Sequence, residues 1–73
     1  MTVTPEIVAA REAVKKARAL LEAAVNHSAK RVGNRALVQE MKRRERDVED
    51  ALENFFEVVT AQIDADAQKA GAA

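Results

Sequence analysis

The sequence predicts an all-α protein: an antiparallel, coiled-coil-like hairpin of two helices that assembles into a helical bundle. Apolar residues recur at helical spacing over two long segments. Gly33 lies between these segments, and Asn34 directly after it is suited to start a helix. The composition is rich in Ala, Glu, Lys, Arg and Val and includes only two aromatic residues, which is typical of long helices and coiled coils.

The first helix is predicted over residues 5–31. Thr4 is suited to cap its N-terminus, Pro5 is tolerated at the first helical position, and Glu6 favours the positive end of the helix dipole. One face carries apolar or small residues over an arc of about 140°, counted at roughly 100° per residue. These residues are Ile7, Ala10, Val14, Ala17, Leu21, Ala24, Val25, Ser28 and Val32.

The turn is predicted at residues 32–34, because glycine can adopt the left-handed conformation and Asn34 can cap the next helix. One alternative stays open, since a single glycine does not require a turn. A continuous helix of about 65 residues would be roughly 100 Å long. Folding at Gly33 is favoured because it places large residues opposite the alanine-rich face. The expected pairs are Ile7 with Ile63, Val14 with Phe55 and Phe56, Leu21 with Val48, and Ser28 with Met41.

The second helix is predicted over residues 35–69, with a frayed tail over 70–73. Its apolar arc reaches about 160° near Phe55, which is wider than the seam between two helices requires. We therefore expect another molecule to cover part of this arc. The expected oligomer or partner interface comprises Val14, Leu21, Val48, Leu52, Phe55, Phe56, Val59 and Ile63.

The length of 73 residues leaves room for a single domain, residues 1–73, with a thin core. The chain contains no cysteine, so neither a disulfide nor a thiolate zinc site can reinforce that core. Oligomerisation is the remaining common solution, and a homo-oligomer is expected, with a dimer favoured and a larger protein partner as an addition. No secretory leader or membrane-spanning segment is indicated, so we expect a cytoplasmic protein without a membrane partner.

Charge is unevenly distributed along this chain of zero net charge. Counted from side chains, the segments carry about +1 over 1–28, +5 over 29–46 and −6 over 47–73. Opposite ends of two copies would therefore attract each other in an antiparallel dimer or a head-to-tail array. The basic residues proposed to bind an anionic partner or nucleic acid are Lys30, Arg31, Arg35, Lys42, Arg43 and Arg46.

These cations have two interpretations. They neutralise phosphates or an acidic protein, in which case binding depends steeply on salt. Otherwise they are solvated charges that pair within the helix, as Glu40 with Arg44, Arg43 with Asp47, and Arg46 with Asp50. Nucleic acid is not favoured, and single-strand stacking is not expected without interleaved aromatic residues. Arg44 lies in the apolar arc, where we expect it to extend toward solvent or pair with a carboxylate across an interface.

Catalysis is not predicted. His27 and Ser28 are the only histidine and serine, and neighbours on a helix point about 100° apart, so they do not form a dyad. The Glu-x-x-His pairs of di-iron bundles are missing. We interpret the acidic residues of the second helix as a solvated face: Glu49, Glu53, Glu57, Asp64 and Asp66. The sequence thus predicts no enzyme, no metal site and no cofactor.

In length and heptad spacing the chain resembles ROP, the small plasmid RNA-binding hairpin that dimerises into a four-helix bundle. It also resembles the secreted hairpins with a Trp-x-Gly turn, although Arg31-Val32-Gly33 replaces that motif here. Accessory proteins of phages and mobile elements often have this form. The sequence predicts a structural or adaptor protein that acts by helix association, with a nucleic-acid-binding regulator as the alternative.

Overall fold

The computed structural model describes residues 2–29 and 33–72. Within them the chain forms two α-helices and no strand: α1 covers Pro5–Ala29 and α2 covers Arg35–Ala72. The two helices pack against each other. The prediction of an all-α protein with two helices is therefore confirmed for the described residues.

Thr4 caps the start of α1. Its Oγ1 accepts a hydrogen bond from the amide of Ile7 at 3.3 Å, and its carbonyl oxygen accepts one from the amide of Val8 at 3.1 Å. The side-chain contact satisfies an amide that has no partner inside the helix, and the carbonyl contact is the first bond of the helical ladder. The predicted start is thus confirmed, whereas the predicted end at residue 31 lies outside the described residues.

Gly33 and Asn34 separate the two helices. Gly33 has a φ of 91°, a left-handed conformation that side-chain-bearing residues rarely adopt. Asn34 Oδ1 accepts hydrogen bonds from the amides of Ala36 at 3.0 Å and Leu37 at 3.4 Å. The chain therefore does not form one continuous helix. Residue 32 of the predicted turn is outside the described range.

The helix α2 extends through Ala72, whereas its end was predicted at Lys69. Alanine is the strongest helix former, so Ala70 and Ala72 offset the cost of about 1 kcal/mol that Gly71 brings to a helix. The tail sequence contains no proline, and Gly71, a residue that often ends helices, lies within α2 without a positive φ. The last turns of α2 thus remain helical although they bury little surface.

Contacts far apart in sequence define the register of the helices. The amide of Thr2 donates to Asp66 Oδ2 at 2.8 Å, which places the start of the chain beside the last part of α2. Further along, Val14 lines the same groove as Leu52 and Phe55. Two residues that face each other across α1 and α2 therefore have residue numbers whose sum is about 68, as for Thr2 and Asp66. The expected proximity of Val14 to Phe55 is confirmed.

The core is thin and the molecule is a rod. Among the described residues only Ile7 and Ala10 are buried, with 5% and 4% of their surface exposed. The Cα extents are 61 × 14 × 12 Å, and the radius of gyration is 17.2 Å. A compact domain of this length would have a radius of gyration of about 11 Å. Two helices lying side by side bury few residues completely, because each retains a wide solvent-facing side.

Candidate partner-binding surfaces

The eight residues predicted as an interface divide into two groups. Three of them are exposed on α2: Leu52 by 47%, Phe56 by 70% and Ile63 by 51%. The other five are half-buried and lie at or near the seam between α1 and α2: Val14, Leu21, Val48, Phe55 and Val59. The second group contributes mainly to the packing between the two helices, and the first remains exposed to solvent. The expected pairing of Val14 with Phe56 disagrees with the structure, because 70% of the surface of Phe56 is exposed.

Three exposed apolar residues and the half-buried Val59 form a line along α2, which we call the apolar stripe: Leu52, Phe56, Val59 and Ile63. Successive members are four, three and four residues apart, the spacing of a coiled-coil seam. At about 100° per residue, the stripe lies roughly a quarter turn from the face of α2 that packs on α1. One heptad before Leu52, the same position holds the exposed Glu45, which ends the stripe.

Cations border one edge of the apolar stripe. Arg11, Lys15 and Arg18 of α1, together with Val14, Leu52 and Phe55, line a groove of about 210 Å³. Lys15 Nζ lies 3.7 Å from Glu12 Oε1, and both side chains are more than half exposed. Such a pair contributes little, because solvent screens it. Within the described residues Arg11 and Arg18 make no ion pair.

Carboxylates border the other edge of the apolar stripe. Glu49 and Glu53 each precede a member of the stripe by three residues, so they are its helical neighbours on the side away from α1. Both are exposed, and neither makes an ion pair or side-chain hydrogen bond in the part of the chain that the structure describes. The stripe thus has a basic edge and an acidic edge.

A second surface, the basic face, lies on the outward side of α2. It consists of Arg35, Lys42, Arg43 and Arg46, which are exposed. The last three line a shallow groove of about 290 Å³ with Gln39. None of the four makes an ion pair with another described residue. Helical spacing thus brings together four of the six predicted cations, while Lys30 and Arg31 lie outside the described residues.

Arg44 pairs within its own helix. Its guanidinium lies 3.9 Å from Glu40 Oε1 and 3.9 Å from Asp47 Oδ2, and 32% of its side chain is exposed. The predicted pair of Glu40 with Arg44 is confirmed. The expected pairs of Arg43 with Asp47 and of Arg46 with Asp50 are not formed, and Asp47 contacts Arg44 instead. Arg44 therefore reaches from the packed face of α2 to carboxylates one turn away on either side.

Asp66 joins the start of the chain to the last part of α2, at the end of the rod opposite the turn. Besides the Thr2 amide, it accepts hydrogen bonds at Oδ1 from Thr2 Oγ1 at 3.3 Å and from Gln62 Nε2 at 2.9 Å. The backbone hydrogen bond from Thr2 is the main reason that the pKa of Asp66 lies below its ordinary value, and the side-chain hydrogen bonds act in the same direction. The sequence predicted that Asp66 belongs to a solvated face; the structure shows it half-buried and hydrogen-bonded to Thr2 and Gln62. Its helical spacing from Gln62 and Val59 was the signal that it lies near the packed face.

The described residues offer no arrangement of three His, Asp or Glu side chains that would hold a metal ion. In the same ranges, neither helix contains an apolar stretch suited to crossing a membrane. Comparison of the chain with models of known families, with characterised proteins and with solved structures finds no match. Function is therefore inferred from the two surfaces.

Proposed function

We propose that the protein is a non-enzymatic structural or adaptor protein whose antiparallel hairpin associates through its apolar surface into a helical bundle. The first partner is a second copy of the chain, in a dimer, and the assembled bundle then binds a larger protein. The contact of Thr2 with Asp66 supports the antiparallel arrangement, because it brings the start of one helix to the end of the other. The absence of cysteine agrees with a cytoplasmic location.

The main support for the proposal is that large apolar side chains of the apolar stripe are exposed, whereas very few residues are buried between the two helices. Phe56 is 70% exposed, whereas only Ile7 and Ala10 are buried among the described residues. Exposed apolar residues in a contiguous line mark interaction surfaces more often than isolated ones do. Covering them would add apolar burial that a hairpin of this size lacks.

The accessible surface supports the same conclusion. The chain exposes 5776 Å². A compact monomer of 8.0 kDa would expose about 4,450 Å², so the excess is about 1,300 Å². A stable interface typically covers about 800 Å² on each partner. The surplus area is thus large enough for a dimer interface of ordinary size.

Sedimentation equilibrium across a wide range of protein concentrations tests the proposal. We expect the mass to rise from that of one chain to that of an oligomer, and the double variant Phe56→Ser, Ile63→Ser to stay monomeric. Leu20→Ser is the matched control, because Leu20 is 39% exposed but lies on α1, away from the stripe. A wild-type protein that is monomeric at all concentrations would contradict self-association.

A nucleic-acid-binding regulator is the second candidate, and the basic face favours it. Arg35, Lys42, Arg43 and Arg46 lie on one side of a helix without ion pairs among the described residues, so they are available to phosphates. A titration against duplex DNA and RNA at several salt concentrations distinguishes the two functions. The regulator predicts a steep loss of affinity with salt, whereas the adaptor predicts negligible binding at physiological salt.

A further inference from the structure

We infer that the second copy docks on the apolar stripe with its α2 parallel to α2 of the first. Glu49 and Glu53 of each copy then face Arg18 and Lys15 of the other. The inference rests on the proposed self-association and adds the orientation of the copies and the charges that recognise each other. It starts from the two oppositely charged edges of the stripe.

The register of the hairpin places these charges at matching heights along the rod. Facing residues of α1 and α2 have numbers that add up to about 68, as Thr2 and Asp66 show. Lys15 is therefore level with Glu53, and Arg18 is level with the residue that follows Glu49. The rise of about 1.5 Å per residue makes the remaining offset small compared with the reach of an arginine side chain.

A twofold axis parallel to the helices brings opposite edges together. Such an axis relates the two copies by a rotation of half a turn, so each residue of the second copy lies at the same height along the helix as the same residue of the first. The acidic edge of one stripe then lies over the basic edge of the other, and symmetry repeats the contact. Leu52, Phe56, Val59 and Ile63 each meet the same residue of the other copy, as in a parallel coiled coil. The apolar contact supplies area, and the charges select the orientation.

An antiparallel dimer lacks this complementarity at the edges of the stripe, although it would bring the basic segment 29–46 of one copy toward the acidic segment 47–73 of the other. With the axis across the stripe, Leu52 would face Ile63 and Phe56 would face Val59, so the apolar contact is equally good. The basic edge, however, would lie over the basic edge of the other copy, and the acidic edge over the acidic edge. Like charges in proximity are unfavourable, and among the charges of the two edges only Lys15 has a counter-charge in the described residues, the solvent-screened Glu12.

The position of Glu45 limits the length of the parallel contact. It occupies the stripe position one heptad before Leu52, and in a parallel dimer it would face Glu45 of the other copy. We therefore place the contact between residues 49 and 63, over about 21 Å of helix. The α2 helices separate toward the turn, which leaves the basic face free.

Charge reversal tests the recognition. Because both ion pairs occur twice, the double variant Glu49→Lys, Glu53→Lys changes four contacts, and we expect its dimer to dissociate at about tenfold higher concentration in low salt. The double variant Lys15→Glu, Arg18→Glu should weaken the dimer similarly. An equimolar mixture of the two restores every attraction and should form a heterodimer of wild-type affinity. Sedimentation equilibrium measures all three.

The control for charge reversal is Asp50→Lys, Glu57→Lys. This variant makes the same change of net charge on α2, but both residues lie on the other side of the helix from the stripe. We expect it to dimerise like the wild type. Circular dichroism of each variant verifies that the helices are retained, since all substituted side chains are exposed.

Single-cysteine variants test the orientation directly, because the wild-type chain has no cysteine. A disulfide requires Cα atoms about 4.4–6.8 Å apart. In the parallel dimer, Leu52→Cys and Ile63→Cys should each form a disulfide with the same variant on oxidation. In the antiparallel dimer, Leu52 would lie about 17 Å along the helix from Leu52 of the other copy, which is too far for a disulfide.

The outcomes separate this inference from the proposed function. Disulfides within each single-cysteine variant, together with rescue in the charge-reversed mixture, support the parallel dimer. Disulfides formed only when the Leu52→Cys and Ile63→Cys variants are mixed overturn it in favour of the antiparallel dimer. A wild-type dimer that is indifferent to charge reversal overturns the inference and leaves self-association standing. A wild-type protein that never dimerises overturns both.

Discussion

At the scale of single residues, hydrogen-bonding side chains and one glycine determine where the helices begin and where they separate. Thr4 and Asn34 each accept hydrogen bonds from the free amides of the helix that follows. Gly33 adopts a φ of 91°, which a residue with a Cβ atom adopts at a cost. These local features define the hairpin before any packing is considered.

The two glycines should respond oppositely to alanine. Gly33→Ala is expected to destabilise the protein by about 1–2 kcal/mol, because the left-handed conformation crowds Cβ. Gly71→Ala is the control, since Gly71 lies in α2 with open space around it. It should be neutral or stabilising by up to about 1 kcal/mol. Urea unfolding of both variants measures the difference, and equal effects would contradict the assignment of the turn.

Asp66 should make the stability of the protein depend on pH. Its pKa is lower in the folded protein than its ordinary value, mainly through the hydrogen bond from the Thr2 amide. A lowered carboxyl pKa adds stability above the pKa of the unfolded chain, and that stability is lost as the pH falls through the folded pKa. Asp66→Asn should therefore reduce stability at neutral pH and flatten the decline in acid.

Urea unfolding at a series of pH values measures this effect. Asp64→Asn is the matched control, because Asp64 is exposed and forms no hydrogen bond with the described residues. We expect the control to follow the wild-type curve. An Asp66→Asn curve parallel to that of the wild type throughout the acid range would show that the contact with Thr2 does not stabilise the fold.

At the scale of helices, α2 has more apolar surface than α1 covers. The face of α1 toward α2 is rich in alanine, which allows close approach of the helices but buries little area. The apolar stripe lies about a quarter turn from the packed face of α2, so α1 reaches only its edge, where Leu52 lines a groove with Val14. One helix can therefore serve two interfaces, one within the hairpin and one with a partner.

The adjacent phenylalanines distinguish the packed face of α2 from the proposed interface with a partner. Phe55 is half-buried and lines the groove shared with Val14, whereas Phe56 is 70% exposed. Phe55→Ala should destabilise the hairpin by roughly 2 kcal/mol at every protein concentration, less than for a fully buried ring. Phe56→Ala should leave the dilute hairpin nearly unchanged and weaken association. Unfolding in dilute solution and sedimentation separate the effects, and equal losses in dilute solution would contradict this division.

At the scale of the whole molecule, shape and charge polarity restrict how copies can assemble. The rod is 61 Å long and 14 × 12 Å in cross-section, so most of its surface runs along its length. Side-by-side contact is the arrangement that buries the most area. Net charge is zero, so no overall repulsion opposes association at neutral pH.

Small-angle X-ray scattering should show that the particle becomes wider but not longer when the protein associates. In a side-by-side dimer the longest dimension remains near that of one rod, whose Cα extent is 61 Å, while the cross-section increases. A head-to-tail array, driven by the basic and acidic ends, would instead grow in length as concentration rises. Scattering curves recorded below and above the association midpoint distinguish the two. Lengthening with concentration would exclude the side-by-side assembly.

The sequence by itself determined that there are two helices, where each begins, their N-terminal caps and the separation at Gly33, because each depends on residues within a few positions of one another. It also located the basic face, since helical spacing alone places Arg35, Lys42, Arg43 and Arg46 on one side. The end of α2 was less accessible, because Ala70 and Ala72 favour a helix whereas Gly71 is a common stop signal, and local sequence does not decide between them.

Only the tertiary structure decided which part of the wide apolar arc faces α1. Periodicity grouped Phe55 with Phe56, but a single neighbouring helix covers less than this arc, and packing against α1 left Phe56 exposed. The contact of Thr2 with Asp66 likewise depends on the register between distant segments. Local patterns carry no information on that register, because it results from the fit of side chains across the two helices.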